Sequence, residues 1–375
     1  MSQAQSNHKS SRLRIDEIDF WRGMALITIF INHFQGNFLS IATPKNYGFS
    51  DSAEAFVFLS GISAAIAYRK YFISPDFIKG CLVLLFRAVR VYAVHIVLTI
   101  AAILLYWIAS HFTNIAEILE VDGRGTIFVS PSEAITGILG LTHQLGYFNI
   151  LPLYVLFLMF SPAIFLIGIK NRTLMLFISL GIYICARVMS LNMPSWPESG
   201  GWYFNPLTWQ LLFSLGVYFG LEVGKDKLKI SQKAYKLSML FTIVAAIIVS
   251  NGFGLVPGLV DKVGQYVDWD KTHLGIIRII DFVALAYLIY ASGITHKIKR
   301  SRLYVFAEII GRNGLLIYCL GSLLSAGGTV IKEAYALTAG FDVLFVAFGI
   351  KTLYLCATLS EKLEYSFAKR KGLKV

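Results

Sequence analysis

The sequence contains few charged residues, and this scarcity excludes most classes of soluble protein. Charged side chains form 15% of the 375 residues, whereas apolar side chains form 56% and the mean hydropathy is +0.64. A soluble domain carries about 25% charged and about 45–50% apolar residues. The composition therefore excludes a soluble enzyme, a disordered chain and a secreted disulfide scaffold. It indicates a polytopic membrane protein.

The sequence also lacks the cysteine patterns and short motifs on which many catalytic and metal sites depend. Its cysteines lie in or beside apolar runs, without the spacing of metal ligands or of paired loop positions. They are Cys81, Cys185, Cys319 and Cys356. A Walker loop, a strand-framed GxGxxG, a nucleophile elbow and an HExxH motif are all missing from the sequence. We therefore expect no disulfide framework, no metal site, and neither ATPase nor metalloprotease activity.

Long apolar runs are the feature that the sequence does have, and ten of them approach the about 20 residues that cross a bilayer core. Their ranges are 19–40, 53–70, 88–110, 148–169, 173–191, 206–223, 235–254, 275–295, 304–326 and 341–360. The sequence thus predicts an all-α polytopic membrane helix bundle with about ten transmembrane helices. Without an internal repeat, residues 1–375 form one domain, with a tail at 1–17 and a basic tail at 361–375.

One connection between the apolar runs contains a further helix signal. Ser130-Pro131-Ser132-Glu133 offers a Ser N-cap, a proline at the first helical position and a glutamate at the third. We expect a short interfacial or re-entrant helix there, not an eleventh span.

The distribution of basic residues predicts the orientation in the membrane. The net charge is +12, but the basic residues punctuate the apolar runs instead of forming one patch, so no nucleic-acid partner is expected. An even number of spans places both termini on one side, and most Lys and Arg residues then fall on that side. The positive-inside rule makes that side cytoplasmic. We expect a multi-pass protein of the bacterial inner membrane.

The first apolar run carries the most informative polar residues, because ionisable groups inside a bilayer are costly unless they have a function. Arg22 and His33 are eleven residues apart, about 16 Å along a helix. Arg22 therefore lies near the cytoplasmic face and His33 lies deep, toward the outer half. Histidine is a suitable general base at neutral pH. The alternative is that His33 only forms a hydrogen bond with a neighbouring helix.

Two carboxylates begin the second run at a depth close to His33. Because the chain direction reverses between the two runs, Asp51 and Glu54 enter the membrane from the outer side. A carboxylate beside an imidazole orients it and stabilises its protonated form. Asp51 is also well placed as a helix cap at the interface, so Glu54, one turn further in, is the favoured partner of His33.

Arginines in three other runs have a functional and a structural interpretation. Arg87 and Arg90 share one helix face at the cytoplasmic end of the third run and suit phosphate groups, or they anchor the helix. Arg312 opens the ninth run and binds a ligand or extends to the interface. Arg278 and Asp281, three residues apart in the eighth run, predict an internal salt bridge.

A further set of polar and aromatic residues lies toward the outer side. Asn205, Trp209 and Gln210 begin the sixth run, and they suit either carbohydrate binding or anchoring at the membrane interface. His143 and Asn149 lie just outside the fourth run. All five are candidates for the lining of an outer cleft that binds an acceptor.

Several blocks of the sequence, in the expected order over nearly the whole chain, resemble the OpgC family of integral-membrane acyltransferases. The blocks are RIDEIDFWRGMALITIFINHF (14–34), FSDSAEAFVFLSG (49–61), FNILPLYVLF (148–157), GWYFNPLTWQLLFSLG (201–216) and GRNGLLIYCLGSLLS (311–325). Well-known members succinylate osmoregulated periplasmic glucans. The resemblance implies an O-acyltransferase that moves an acyl group, with succinyl favoured, from cytoplasmic acyl-CoA to hydroxyls of a periplasmic glucan or related glycan.

Two shorter patterns are similar to those of the wider membrane acyltransferase superfamily. Arg22 and His33 match its Arg/Lys–x10–His pattern, and Arg87 with Arg90 matches its RxxR pattern. The resemblance implies that His33 takes part in acyl transfer and that these arginines bind the acyl-CoA donor. Arg312 is a further candidate for donor binding because of its position at the inner face. Asn32 is a candidate donor to the oxyanion, although neighbouring side chains on a helix diverge. The acyl group, the acceptor, and direct transfer against an acyl-histidine intermediate stay open.

The partners follow from this hypothesis. They are the lipid bilayer, the glycan and acyl-CoA as a co-substrate, without a permanently bound cofactor, while self-association into a homo-oligomer is left open. The alternative function is a secondary transporter or flippase, since membrane carboxylates also serve proton relays. A non-catalytic partner of a glucan synthase is a third hypothesis.

Overall fold

The computed structural model describes residues 15–73, 76–112, 123–223 and 229–370. Each of the ten predicted apolar runs is helical, as expected where lipid leaves backbone N–H and C=O groups no other partners. The longer helices are α1 (Asp16–His33), α2 (Ser52–Ile73), α3 (Phe77–Phe112), α6 (Ile150–Lys170), α7 (Arg172–Val188), α8 (Pro206–Glu222), α9 (Gln232–Val249), α11 (Ile276–Ser292), α13 (Arg302–Arg312), α14 (Gly314–Ala334) and α15 (Ala339–Arg370). The shorter helices are α4 (Thr126–Val129), α5 (Pro131–Leu139), α10 (Leu259–Gly264) and α12 (Ile294–Ile298).

The all-α membrane fold is confirmed. Apart from one isolated bridge between Pro194 and Gly201, the regular structure of the described residues is helical. Within those residues, six helices are long and apolar enough to cross a membrane, namely α2, α3, α6, α9, α14 and α15. Helices α7, α8 and α11 have 17 residues each, so the count of ten spans stays a prediction.

Several helices differ from the runs predicted for them, since α1 ends at His33 and not at residue 40, and α15 continues to Arg370 and not to residue 360. The ninth run is not one helix, because the chain turns at Asn313 between α13 and α14. Arg312 therefore lies at a junction and not inside a continuous span. Helix α3 begins at Phe77, well before the predicted start at 88, and its 36 residues extend about 54 Å, more than the about 30 Å hydrocarbon core.

The short helix predicted after Ser130 is present as α5, with Pro131 in its first turn. The Ser130 side chain makes no capping hydrogen bond, so the proline and the apolar contacts of Ala134 and Ile138 define this helix. Its nine residues extend about 14 Å and are too few to cross a bilayer.

Both described ends of the chain lie at one end of the bundle, which we call the Arg22 end. Asp16 at the start of α1 pairs with Lys299, and Glu361 in the last turns of α15 lies 3.7 Å from Arg312. Of the predicted tails, residues 1–14 and 371–375 lie outside the described residues, and α15 continues to Arg370. The opposite end, where α1 terminates, is the His33 end.

Glycines permit two close helix crossings that organise the core. A Cβ atom on Gly23 of α1 would lie 1.8 Å from the Ala307 carbonyl oxygen of α13, and one on Gly311 would lie 1.8 Å from that of Asp19. Helices α2 and α8 meet in the same way at Gly61. Small residues of this kind allow backbones in a membrane to approach closely. The crossings fix the position of α1, which carries Arg22 and His33.

Candidate active site

His33 is the last residue of α1 and faces a pocket at the His33 end of the bundle. The helix terminates there because the chain turns at Gly36, whose φ is +68°. The imidazole is half-buried and lies against the Tyr147 ring, with 4.8 Å between ring centroids. Its Nδ1 atom is buried without a hydrogen-bond partner among the described residues. The ring is therefore held by packing and not by a hydrogen bond at Nδ1.

The pocket, which spans about 230 Å³ when the open solvent at its mouth is included, combines His33 with hydroxyl and cationic groups. Helix α14 contributes hydroxyls, and α3 and the connections contribute aromatic, amide and guanidinium groups. The polar and aromatic lining residues besides His33 are Gln35, Tyr106, Arg124, Tyr147, Phe148, Ser322, Ser325 and Thr329. Sequence reasoning missed Arg124, Tyr106 and the α14 hydroxyls, because none of them belongs to a recognisable spacing.

Glu54, the predicted partner of His33, is committed to Arg278 instead. Its carboxylate is fully buried, and Oε1 accepts a hydrogen bond of 2.7 Å from Arg278 Nε and lies 2.6 Å from Arg278 Nη2. The other oxygen accepts the Asp51 backbone N–H at 2.9 Å. A hydrogen bond between a guanidinium and a carboxylate is charge-assisted and therefore stronger than one between neutral groups. No hydrogen bond joins Glu54 to His33 in the described part of the chain.

Asp51 pairs with two cations. Its Oδ2 atom lies 2.5 Å from Lys271 Nζ and 3.3 Å from Arg278 Nη2, and its Oδ1 accepts the Ala53 backbone N–H. Burial opposes ionisation of the carboxyl, but these cations outweigh it and hold the pKa of Asp51 well below its ordinary value. Burial also acts against the Lys271 ammonium, yet Asp51 and Glu54 raise the pKa of Lys271 above its ordinary value.

The predicted salt bridge between Arg278 and Asp281 does not form, and that expectation is wrong. Asp281 Oδ2 instead accepts hydrogen bonds from the backbone N–H of Ser50 at 2.9 Å and from its hydroxyl at 2.6 Å. Asp281 thus binds Ser50, and Arg278 binds Asp51, in the segment that precedes α2. The position of Arg278 within an apolar run drew attention to this residue, but the sequence did not predict its partners.

Asn32 contacts the segment that follows α1. Its side-chain oxygen accepts a hydrogen bond of 2.7 Å from the Thr43 hydroxyl. Two short 3-10 turns, Phe38–Ala42 and Pro44–Asn46, flank Thr43. The contact ties this segment to α1 one residue before His33, and the oxyanion role of Asn32 stays a prediction.

Arg22 lies at the α1–α13 crossing, about 16 Å along the helix from His33. Its guanidinium donates to Asp19 Oδ1 at 2.8 Å, to the Gly311 carbonyl at 3.2 Å and to the Ser63 hydroxyl of α2. Arg312, next to Gly311, pairs with Glu308. The structure therefore brings these two predicted donor-binding residues together at the Arg22 end.

Arg87 and Arg90 lie on α3, which packs mainly against α6. Arg87 is half-buried and Arg90 exposed, and neither makes a hydrogen bond or ion pair with another described residue. Gly80 of α3 packs on the last turns of α2. Helices α2 and α3 are antiparallel. Arg87 and Ser63 therefore each lie about 11 Å from this contact, in the direction of the His33 end. Arg87 is thus at nearly the same depth as Arg22.

The acceptor candidates of α8 are engaged within the protein. Asn205 caps α8 through the Leu207 N–H and donates to the Leu191 carbonyl, while Trp209 Nε1 donates to the Lys271 carbonyl at 3.0 Å. Both side chains are fully buried. They hold the connection that carries Lys271 against Asp51.

The remaining acceptor candidates have similar contacts. Gln210 joins α8 to α7, because its amide accepts from the Ser179 hydroxyl at 2.6 Å and donates to the Ser179 carbonyl at 2.8 Å. His143 is buried with Nδ1 3.7 Å from Glu198, and burial lowers its pKa although Glu198 acts in the opposite direction. Asn149 precedes α6 without a capping side-chain hydrogen bond. Acceptor binding by these residues stays a prediction.

A comparison with models of protein families matches residues 14–365 to the family described as OpgC protein. The chain belongs to the OpgC family. The match covers nearly the whole chain, including both Arg22 and His33, and confirms the resemblance of the five sequence blocks. Comparisons with curated proteins and with solved structures find no match. OpgC membership and the apolar helices together indicate a glucan-modifying membrane acyltransferase.

Proposed function

We propose that this OpgC-family protein is an O-acyltransferase that moves a succinyl group from cytoplasmic acyl-CoA to hydroxyls of a periplasmic glucan or related glycan. The observation that carries the proposal is the position of His33. Its imidazole faces a polar pocket at one end of α1, while Arg22 lies at the other end of the same helix. One helix therefore joins a proton acceptor to a cationic region on the opposite side of the bundle.

The Arg22 end suits the donor, because acyl-CoA carries phosphates that enter hydrocarbon only at high cost. Arg87 and Arg90 suit the phosphates, because the part of the chain that the structure describes gives neither guanidinium an ionic partner, and guanidinium forks bind phosphate oxygens. Arg22 and Arg312 add positive charge at similar depth. In this proposal the Arg22 end faces the cytoplasm of a bacterial inner membrane, and acyl-CoA is a co-substrate.

The His33 end suits the transfer. A glycan hydroxyl attacks the thioester carbonyl carbon, and His33 accepts the hydroxyl proton as general base. The new carbon–oxygen bond replaces the carbon–sulfur bond, and the proton passes from the imidazole to the departing thiolate. Transfer through an acyl-histidine intermediate needs the same imidazole at the same place.

The ion pairs beside the pocket have a positioning role in this proposal. Asp51 and Glu54 are held by Lys271 and Arg278, and this arrangement fixes the start of α2 close to the end of α1. The charges compensate one another, so the cluster adds little net charge near His33. His33 is then a neutral base surrounded by a fixed frame.

The His33→Gln variant tests the proposal. We expect it to reduce succinyl-CoA turnover by purified protein at least 100-fold, since a general base contributes about 10²- to 10⁴-fold. Folding should be retained, because His33 Nδ1 has no hydrogen bond to lose among the described residues. The readouts are thiol release, the mass of the glycan product and the thermal unfolding midpoint.

His111→Gln is the matched control, because this exposed histidine lies in the last turn of α3 at the same end and, among the described residues, contacts Trp107 and Ser110 of its own helix. It should retain wild-type turnover. Wild-type acylation of glycan by His33→Gln would contradict the assignment of the base. Solute uptake by sealed vesicles, with no thioester turnover by protein in detergent, would instead indicate a transporter.

A further inference from the structure

His95, in the middle of α3, is a buried imidazole that the proposed transfer step does not use. It is only 1% exposed, and neither Nδ1 nor Nε2 has a hydrogen-bond partner among the described residues. Inside a bilayer no bulk water replaces the missing partners, and an unpaired buried polar group costs free energy. Because such groups are rare in folded proteins, each of them calls for an explanation. His95 is therefore a candidate for contact with a ligand.

Thr99 repeats this feature one helix turn further along α3. Its side chain is equally buried, and its hydroxyl makes no hydrogen bond in the part of the chain that the structure describes. A hydroxyl inside a helix can bond to the carbonyl four residues earlier, as those of Ser161, Ser325 and Thr329 do. The Thr99 hydroxyl does not use that local acceptor. Because residues four apart share one helix face, His95 and Thr99 present two unpaired polar groups on the same side of α3.

These two groups lie between the proposed donor region and the His33 pocket. Along α3, His95 follows Arg90 by about 8 Å. Tyr106, which lines the pocket, follows Thr99 by about 11 Å. The pair is thus on the way from the guanidinium groups that suit phosphates to the place of transfer.

Helix α14 shows how close Thr99 is to the pocket. Helices α3 and α14 run in the same direction, and a Cβ atom on Gly327 would lie 3.8 Å from the Leu105 side chain. Six residues earlier on both helices, Thr99 is at the depth of Gly321. The next residue, Ser322, lines the pocket. Thr99 therefore lies at the level of the inner part of the pocket, with the imidazole one turn nearer the Arg22 end.

The pantetheine arm of acyl-CoA has polar groups of matching kind and spacing. The arm carries two amides between the phosphates and the thioester, and each amide offers an N–H donor and a carbonyl acceptor. One extended amino-acid residue spans about 3.3–3.6 Å, and the β-alanine unit between the amides is one carbon longer, so they are about 5 Å apart. Side chains four residues apart on a helix are separated by about 5–6 Å at Cβ.

We infer that His95 and Thr99 bind the two amides of this arm and so position the thioester at the His33 pocket. His95 binds the amide nearer the phosphates, and Thr99 binds the amide nearer the sulfur. This inference rests on the proposed function. Both residues form hydrogen bonds only, and the bond made and the bond broken in the transfer are those given above. Because both groups are enclosed, the arm reaches them when α3 moves away from its neighbours.

Two donors that differ in the length of the arm test this assignment. Succinyl-CoA carries both amides, whereas the succinyl thioester of N-acetylcysteamine keeps only the amide nearer the sulfur. We measure kcat/KM for both donors with the full-length wild type, His95→Leu and Thr99→Val in detergent. An amide left unpaired in a buried site should lower kcat/KM about 5- to 100-fold. We expect this loss in His95→Leu with succinyl-CoA alone, and in Thr99→Val with both donors.

Thermal unfolding separates ligand binding from a structural role. Leucine has nearly the volume of histidine and removes an unpaired polar group, so His95→Leu should unfold at or above the wild-type midpoint. Thr242→Val is the matched control, because the Thr242 hydroxyl is also buried without a partner among the described residues but belongs to α9, which packs mainly against α11. This variant should keep wild-type kinetics with both donors.

Several results for His95→Leu would overturn the inference and leave the proposed function intact. They are wild-type kinetics with succinyl-CoA, an equal loss with both donors, a lower unfolding midpoint and failure to fold. If the wild type does not use the short donor, the affinities for free coenzyme A and for ADP, which lacks the arm, replace the kinetics. His95→Leu should weaken only the first, and wild-type affinity for both would overturn the inference. A wild type that does not use succinyl-CoA would overturn the proposed function as well.

Discussion

Four charged side chains near His33 form one cluster, in which Glu54 is fully buried and Lys271 is partly exposed, and its stability depends on their mutual compensation. Asp51 and Glu54 contribute two negative charges, and Lys271 and Arg278 contribute two positive charges. Removal of one partner from a buried ion pair costs about 3–5 kcal/mol, because the other charge is left without compensation. The cluster therefore keeps the start of α2 in place only while both pairs are ionised.

We expect this cluster to stabilise the protein over a limited pH range. The pKa of Asp51 is lower in the folded protein than in the unfolded chain, so its contribution is lost as pH falls below about 4. The pKa of Lys271 is higher in the folded protein, so its contribution is lost as pH rises above about 10. Thermal unfolding in detergent should therefore show the largest difference between wild type and the double variant Asp51→Asn/Lys271→Met between these limits. A difference independent of pH would contradict the ionic role.

At the scale of residues, the sequence predicts the positions of charged residues along the helices better than it predicts their partners. The spacing correctly indicated that charged residues begin α2 near His33, but it paired Arg278 with Asp281. Local spacing favours that pair, whereas Arg278 binds Glu54 across 224 positions. Asp281 is occupied by Ser50. Such long-range choices depend on helix packing, which no single apolar run specifies.

At the scale of helices, the approach of α1 and α13 determines where Arg22 lies. The two backbones touch at Gly23 and Gly311, and the Gly311 carbonyl accepts a hydrogen bond from Arg22. A methyl group at either glycine would overlap a backbone carbonyl. Because the overlap is with backbone atoms, the helices have to separate to accommodate it.

We expect Gly23→Ala and Gly311→Ala to destabilise the protein by about 1–3 kcal/mol or more, the typical cost of an overpacked core. Both should also reduce thioester turnover, because Arg22 loses its position. Gly181→Ala is the matched control, since a Cβ atom at this helical glycine of α7 meets no atom within 4 Å. Thermal unfolding and turnover of the three variants check this. Wild-type stability of both crossing variants would show that the helices are further apart.

Hydropathy predicts the existence of the helices but not every boundary. It joined α13 and α14 into one run, because both flanks of Asn313 are apolar on average. The turn at Asn313 depends on the packing of α13 against α1, which hydropathy does not describe. Among the described residues this is one broken span, whereas transporters with inverted repeats have a pair at corresponding positions. The break alone therefore gives the transporter hypothesis little support.

At the scale of the whole molecule, cysteine labelling tests the proposed orientation. Glu133 of α5 belongs to the His33 end and Lys369 to the last turn of α15, at the Arg22 end. In protein without its native cysteines, we expect a membrane-impermeant maleimide to label Glu133→Cys in intact cells with a permeable outer membrane. Lys369→Cys should react only after lysis. The reverse pattern would place the donor arginines on the wrong side for acyl-CoA.

The sequence predicted the class of the molecule, its family and the separation of Arg22 and His33 along one helix. It did not predict the pocket, because Arg124, Tyr147 and the α14 hydroxyls come from segments far apart along the chain. Tyr147 has a φ of +64°, and its carbonyl accepts a hydrogen bond from Tyr318. The surroundings of a loop residue determine such a left-handed conformation. The hydrophobic periodicity of the sequence therefore could not predict that Tyr147 lies beside His33.

The contact between Arg22 and the Gly311 carbonyl spans 289 positions, and this separation has a consequence for biosynthesis. At about 5–20 residues per second, a ribosome needs about 15–60 seconds to make the intervening polypeptide. During that interval, the newly inserted first helix holds a guanidinium whose distant acceptor has not yet been translated. Assembly of the α1–α13 crossing is therefore a late event, completed only after Gly311 has been translated and α13 has entered the bilayer.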